Sequence, residues 1–401
     1  MLTKTLAASI GALALACVAS GKQHKQHKHP AILHYEENHV DRPFFLQSAQ
    51  ESTDKTLNQA FDFLAPALEN PPLFSDTGAF AHLPQLACFK KDVLESEPID
   101  IAFVGAPFDT ATTYRPGARF GPTGIRLGSR RLAKHSGHSV ENDFNPFDGK
   151  NARVVDCGDI PVTPMDNRVA LTQIQTAHQI IASYTPANST TTPNVPRIIT
   201  LGGDHTITLP SMRAAYKHWG PLSILHFDSH VDTFRPRIHA PESRYSRVNH
   251  GTYFHIAHDE GILGNETNMH AGIKGVYLDS GDEAHDRKCG FDMVKGREID
   301  KIGVKGVIEK IKARVGTGPV YLSFDIDSVD MAFAPATGTA EPGGWTSREV
   351  LAIISGLADL KIVGADLVEV APMYDTVAEQ TGQLAAEILY EILTVMIRSP
   401  V

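Results

Sequence analysis

The sequence predicts an α/β fold in which a mainly parallel sheet is flanked by helices, and three features carry that expectation. From Ile99 onward, short β-branched runs alternate with stretches of helical periodicity in the order of parallel βα units. Polar residues gather at the carboxyl ends of several runs, where open parallel sheets bind their ligands. The chain has 401 residues, 42% hydrophobic and 21% charged, enough apolar content for a large core.

Taken in order, residues 1–20 read as a signal peptide: Lys4, an apolar stretch from Leu6 to Val18, then the small residues Ala19 and Ser20. That run is short and alanine-rich, and no later stretch approaches the roughly 20 apolar residues that a membrane span requires. The expected product is secreted and has no membrane partner. Residues 21–30, "GKQHKQHKHP", form a His/Lys-rich leader with too little apolar content to order itself. Residues 31–97 form an N-terminal extension in which "LNQAFDFLAPAL" alone has strong helical spacing. Residues 98–401 form the main domain, with expected strands "IDIAFVG", "RVVDCGD", "RIITLGGDH", "LSILHFDSH", "GVYLDS", "VYLSFDID" and "KIVGADLVEV". Expected helices are "RVALTQIQTAHQIIASY", "SREVLAIISGLADL" and "TGQLAAEILYEILTVMIR", and "TPANSTTTPNVP" is a surface loop.

A formal net charge of −9 argues against a nucleic-acid partner held through phosphates. Sequons at Asn188 and Asn265 make both expected glycosylation sites of a secretory product. Loss of Cys17 with the signal peptide leaves Cys88, Cys157 and Cys289, so at most one internal disulfide forms and one thiol stays free or pairs elsewhere.

The informative stretch is "ILHFDSHVDTF", which sets Asp228, His230 and Asp232 at alternate positions so that their side chains converge. Asp325 and Asp327 repeat the pattern in "YLSFDIDSVD", and His205 and Glu369 stand at two further strand ends. Several carboxylates crowded in a partly buried site are costly without a cation. The set exceeds what one tetrahedral zinc site uses, which points to two ions sharing bridging carboxylates. Its oxygen-rich donors favour Mn(II) over Zn(II).

These residues resemble the ureohydrolases, the family of arginase and agmatinase. The resemblance runs from Ile99 to the C-terminus through "GGDHTI", "DSHVD", "SFDIDSVD" and "VEVAP", with "PATGTAEPGG" similar to the glycine-rich loop beside the metals and "GARFGP" to the segment after the first strand. It implies the three-layer arginase-like fold and two Mn(II) per subunit. One ion is implied on His205, Asp228, Asp232 and Asp325, the other on His230, Asp228, Asp325 and Asp327, with Asp228 and Asp325 bridging. It further implies that Glu369 clamps the guanidinium, that Asp327 takes the nucleophile's proton and that His250 passes a proton to the departing amine. The family forms trimers or hexamers, so a homo-oligomer is expected.

The segment between Asp232 and His250 does not resemble the arginase loop that reads an amino acid's head groups, which turns the expectation from arginine to agmatine. That segment also carries Arg235, Arg237, Arg244 and Arg247, which, if they faced the pocket, would favour the acid 4-guanidinobutyrate. A non-catalytic, metal-binding protein of the same fold is the alternative of another class.

Overall fold

The computed structural model describes residues 53–69, 74, 78–188, 193–236 and 244–399. The expected signal peptide and His/Lys-rich leader lie outside the described residues, as do part of the N-terminal extension, Arg237 and the side chain of Arg244.

Eight strands form one sheet: β1 (Ile101–Gly105), β2 (Val154–Asp159), β3 (Arg197–Leu201), β4 (Ser223–Phe227), β5 (Asn268–Ile273), β6 (Phe291–Lys295), β7 (Pro319–Asp325) and β8 (Lys361–Val368). Their order across the sheet is β2-β1-β3-β8-β7-β4-β5-β6, and every pairing is parallel. The ten α-helices of the described residues are α1 (Thr53–Glu69), α2 (Lys91–Ser96), α3 (Gly121–Gly128), α4 (Asn167–Ile181), α5 (Thr208–Trp219), α6 (Tyr253–Asp259), α7 (Asp282–Lys288), α8 (Ile299–Val315), α9 (Ser347–Ser355) and α10 (Gln380–Arg398).

Alternation within the strands sends apolar side chains to both faces, as a doubly covered parallel sheet requires. Ile101, Phe103, Leu225, Phe227, Leu322 and Phe324 pack on one face with α8, α9 and α10. Ala102, Val104 and Val155 pack on the other with α1 and α4, and Ile224, Tyr321 and Val363 continue that face beneath α5 and α6. The result is a helix–sheet–helix sandwich. Helix α1 contains the expected "LNQAFDFLAPAL" and buries Phe61 and Leu64 against the α4 side. Helix starts follow the sequence closely: Asp166 accepts the Arg168 and Val169 amides ahead of α4, and Thr346 and Glu349 make a capping box on α9. No helix of the described residues is long and apolar enough to cross a membrane.

Two corrections arise in the second half of the sheet. "GVYLDS" is not a strand; Val276 and Leu278 within it are 81% and 54% exposed. The strands there are β5, just before it, and β6, neither of which the apolar pattern announces. One disulfide joins Cys88 to Cys157, a strand residue of β2, and Cys289 is the free, buried thiol of the described residues.

Candidate metal and amidino-binding site

Strands β3, β8, β7 and β4 are neighbours at the centre of the sheet, and the turns leaving their carboxyl ends carry His205, Glu369, Asp325 with Asp327, and Asp228 with His230 and Asp232. Six of these seven are buried; His230, 22% exposed, opens outward. Backbone crowding makes the approach of His205 possible. A Cβ on Gly203 would lie 1.9 Å from the Phe108 carbonyl oxygen, and one on Gly202 2.5 Å from Val368, so both glycines are required by close contact. The Gly203 carbonyl accepts the Glu369 amide, which ties the β3 turn to the β8 turn.

Two gaps lined by ligand atoms result. His205 Nδ1 lies 3.1 Å from Asp228 Oδ2, 3.1 Å from Asp232 Oδ2 and 3.2 Å from Asp325 Oδ2. Beside it, His230 Nδ1 lies 3.3 Å from Asp228 Oδ1 and 3.1 Å from Asp327 Oδ2. Asp228 therefore faces both gaps with its two oxygens. Asp325 turns Oδ2 to the first gap, while its Oδ1 accepts the Asp327 amide. Glu341 of the glycine-rich loop stands 3.5 Å from His230 Nε2, and Thr339 donates to Asp327 Oδ2, so this loop does border the second gap.

Proton bookkeeping shows that the first gap suits a cation. Ser323 spends its hydroxyl proton on Asp366, so at 2.7 Å it can only accept from His205 Nε2–H. In the neutral ring His205 Nδ1 is then a bare lone pair aimed at three carboxylates, and both it and Asp228 Oδ2 lack any hydrogen-bond partner among the described residues. A metal-ligating histidine has this arrangement, its far N–H held by a second group. Burial opposes charge on the His205 ring, but the three carboxylates outweigh it and hold its proton affinity well above the ordinary imidazole range. A metal ion in the gap supplies the positive charge that the carboxylates demand. The residues present thus fit two divalent ions.

Behind Asp228 runs a buried chain that the sequence reading passed over. Asp286 accepts from His270 Nε2 at 2.9 Å, and His270 Nδ1 meets His226 Nδ1 at 2.7 Å, so with Asp286 ionised and both rings neutral the protons run toward Asp286. That order leaves His226 Nε2 without a proton, 3.0 Å from Asp228 Oδ2. Burial outweighs the pull of Asp228 and lowers His226 to about 3. His226 precedes Asp228 by two and shares its side of the strand, a signal the sequence did contain. Its pairing with His270 depended on β5.

Glu369 and His250 meet next to these gaps. Glu369 Oε1 accepts the His205 amide at 2.9 Å and lies 3.0 Å from His250 Nδ1. The Thr113 amide points at His250 Nε2 from 3.0 Å, which assigns the proton to Nδ1 in the neutral ring. Burial disfavours the charged form of His250, yet the Glu369 hydrogen bond and charge prevail and raise it to about 9. Glu369 and Asp232 both take left-handed backbone angles, φ 63° and 52°, uncommon for residues with side chains and frequent at functional sites. Asp204, also passed over, caps the turn before His205 and accepts the Ala111 amide; burial first, then Glu369, push it up to about 7.

Several other polar residues sit outside this constellation. Arg119 pairs with Asp109, and Arg115 stacks over Tyr114 and Tyr374, so both brace the loop after β1. Arg235 and Arg247 are exposed, and their charges bear on His255 of α6. Asn265 is exposed, whereas Asn188, also exposed, uses its side-chain amide on Asp100.

Residues 99–394 match the model of the arginase family. The chain is 48% identical over 337 residues to "Putative agmatinase 1" of Schizosaccharomyces pombe, covering 82% of this chain and 84% of that one. It is 35% identical over 325 residues to a guanidinobutyrase of Pseudomonas aeruginosa, covering 81% and 94%. Among solved structures, proclavaminate amidinohydrolase from Streptomyces clavuligerus superposes with a TM-score of 0.70 at 36% identity, covering 82% of this chain and 100% of the other. With the strand-end constellation in place on an all-parallel sheet, the chain belongs to the arginase family and is a ureohydrolase, an enzyme acting on amidino C–N bonds.

Proposed function

We propose that this enzyme hydrolyses agmatine to putrescine and urea with two Mn(II) ions. The observation that carries the reading is the pair of adjacent gaps sharing Asp228, with the Glu369–His250 pair beside them. His205, Asp228, Asp232 and Asp325 would hold one ion, and His230, Asp228, Asp325 and Asp327 the other. Oxygen-rich donors of this kind suit Mn(II). Such a pair supplies, when bound, acidified water that can attack at neutral pH.

A guanidinium is resonance-stabilised, so the protein must hold its carbon in place and protonate the leaving amine. Glu369, fixed through Oε1 by the His205 amide, offers a buried negative charge to the planar cation. Asp327, held by the Ser229 amide at 3.0 Å, is the acceptor for the nucleophile's proton. His250, its Nδ1–H held by Glu369 at 3.0 Å, is the donor that passes a proton to the amine.

Agmatine is favoured over 4-guanidinobutyrate because the agmatinase-named relative is the more similar of the two, and because Arg235 and Arg247 are exposed beside α6. Urea release from manganese-loaded protein, measured across agmatine, 4-guanidinobutyrate, 3-guanidinopropionate and arginine, tests the choice. Agmatine is expected to have the highest kcat/KM. Faster turnover of 4-guanidinobutyrate, lost on replacing one of the four arginines by Ala, overturns it. We further infer passage through the secretory route, which the Cys88–Cys157 disulfide supports; an N-terminus beginning at Met1 in the purified native enzyme would refute this.

A further inference from the structure

A separate group of ligating side chains lies on α6 and α7, and the hydrolytic reading does not use it. His285 and Cys289 stand four apart on α7 and its C-terminal cap, so they share a face. His255 of α6 comes down onto that face. Its Nδ1 lies 3.1 Å from His285 Nε2, which lies 3.7 Å from Cys289 Sγ, and one ligand atom from each of the three residues falls within 4.8 Å of the others.

These spacings are those of a coordination sphere. Zinc bonds of about 2.0–2.1 Å to nitrogen and about 2.3 Å to sulfur in a tetrahedron separate N from N by about 3.3 Å and N from S by about 3.6 Å. A small closing of His255 toward Cys289 completes three corners. We propose that His255, His285 and Cys289 form a third metal site, which takes a nitrogen- and sulfur-preferring divalent ion, Zn(II) foremost, with water as fourth ligand.

The surroundings bear on this in both directions. Arg235 and Lys288 repel a cation, while Asp259, 3.5 Å from His255 Nε2, and Asp286, next in sequence to His285, offset them. Burial, with Arg235 adding to it, lowers both imidazoles, which keeps them neutral and available as ligands. Burial also pushes the Cys289 thiol up to about 12, so binding must release its proton to solvent as the metal–sulfur bond forms. Cys289 and His285 are buried, whereas the His255 side chain is 16% exposed and offers the way in. An ion there would clamp α6 to α7, and α6 begins three residues after His250.

The probe is Co(II), added to the full-length protein whose manganese sites are already filled. A thiolate-to-cobalt charge-transfer band is expected at one equivalent and is displaced by Zn(II). Cys289→Ser should abolish the band and remove one bound ion per chain. His255→Ala, at a partly exposed position that the fold tolerates, should do the same should the serine variant not fold. Absence of the band in the wild type, or its persistence in either folded variant, overturns the proposal. Neither readout involves a substrate, so the result is independent of the hydrolytic reading.

Discussion

At the residue scale, the division of labour at the site predicts distinct outcomes for neighbouring carboxylates. Glu369 contacts the His205 amide and His250 but none of the atoms lining the metal gaps, so Glu369→Gln should keep both ions and lose the charge that holds the guanidinium. Loss of a charge-assisted pair of this kind costs on the order of 3 kcal/mol, roughly a hundredfold in kcat/KM. Metal content falling in step with rate would make Glu369 a ligand or a strut instead. Asp228 faces both gaps, whereas Asp232 faces the His205 gap alone. Asp228→Ala should therefore weaken both ions in a metal titration, and Asp232→Ala mainly one. Two ions retained at wild-type affinity in Asp228→Ala would rule out the bridge. This set was legible in the sequence as polar residues spaced by two at the strand ends, although the turns after β4 and β7, and not strand alternation, bring Asp232 and Asp327 into place. His226 was legible by the same rule, but a histidine within an otherwise apolar run reads as core until its partner His270 is known.

At the element scale, strands β4, β7 and β8 were readable because burial on both faces requires continuous apolar runs. Strand β5 was hidden by Asn268 and His270, buried polar residues whose partners come from distant segments. Edge strand β6 was hidden by Asp292 and Lys295, which face solvent. Polar ties between elements carry stability as well as concealment. Arg126 of α3 is buried between Asp156 and Asp159 of β2, and their charges outweigh its burial and raise it above its ordinary value. Arg126→Ala removes the buried cation that faces two carboxylates and should cost about 3–5 kcal/mol in urea unfolding; a cost below about 1 kcal/mol would show that the pair is solvated. His178 of α4 donates to the Ile174 carbonyl and meets Thr200 of β3, and burial lowers it from 6.5 to about 4. Because the unfolded ring binds a proton first, stability should fall as pH drops from 6.5 toward 4, by about 3 kcal/mol in total. Measured by urea unfolding, His178→Gln should flatten that part of the profile, and an unchanged slope would contradict the assignment.

For the whole molecule, the sheet order leaves an edge strand at each end, β2 and β6, and the β2 edge is the one that carries a covalent tie. The central strands β3, β8, β7 and β4 have neighbours on both sides, but β2 is an edge strand, paired among the described residues with β1 alone apart from a single bridge between Asp156 and Gln85. Three ties hold that edge, two of them through Asp156: the Arg126 ion pairs, the Phe80 amide donated to Asp156, and the Cys88–Cys157 disulfide. The disulfide closes a loop of 69 residues, and constraint of the unfolded chain over that length is worth about 4 kcal/mol in the loop-entropy model. The catalytic strands lie beyond β1 from this edge, so the bond should act on stability and leave the site's chemistry alone. A Cys88→Ala/Cys157→Ala double variant should unfold at lower urea concentration by that amount, while its kcat/KM and metal content below the transition stay within about twofold of wild type. A matching loss of activity in the folded double variant would mean that the β2 edge is coupled to the metal turns through its pairing with β1 and the pairing of β1 with β3.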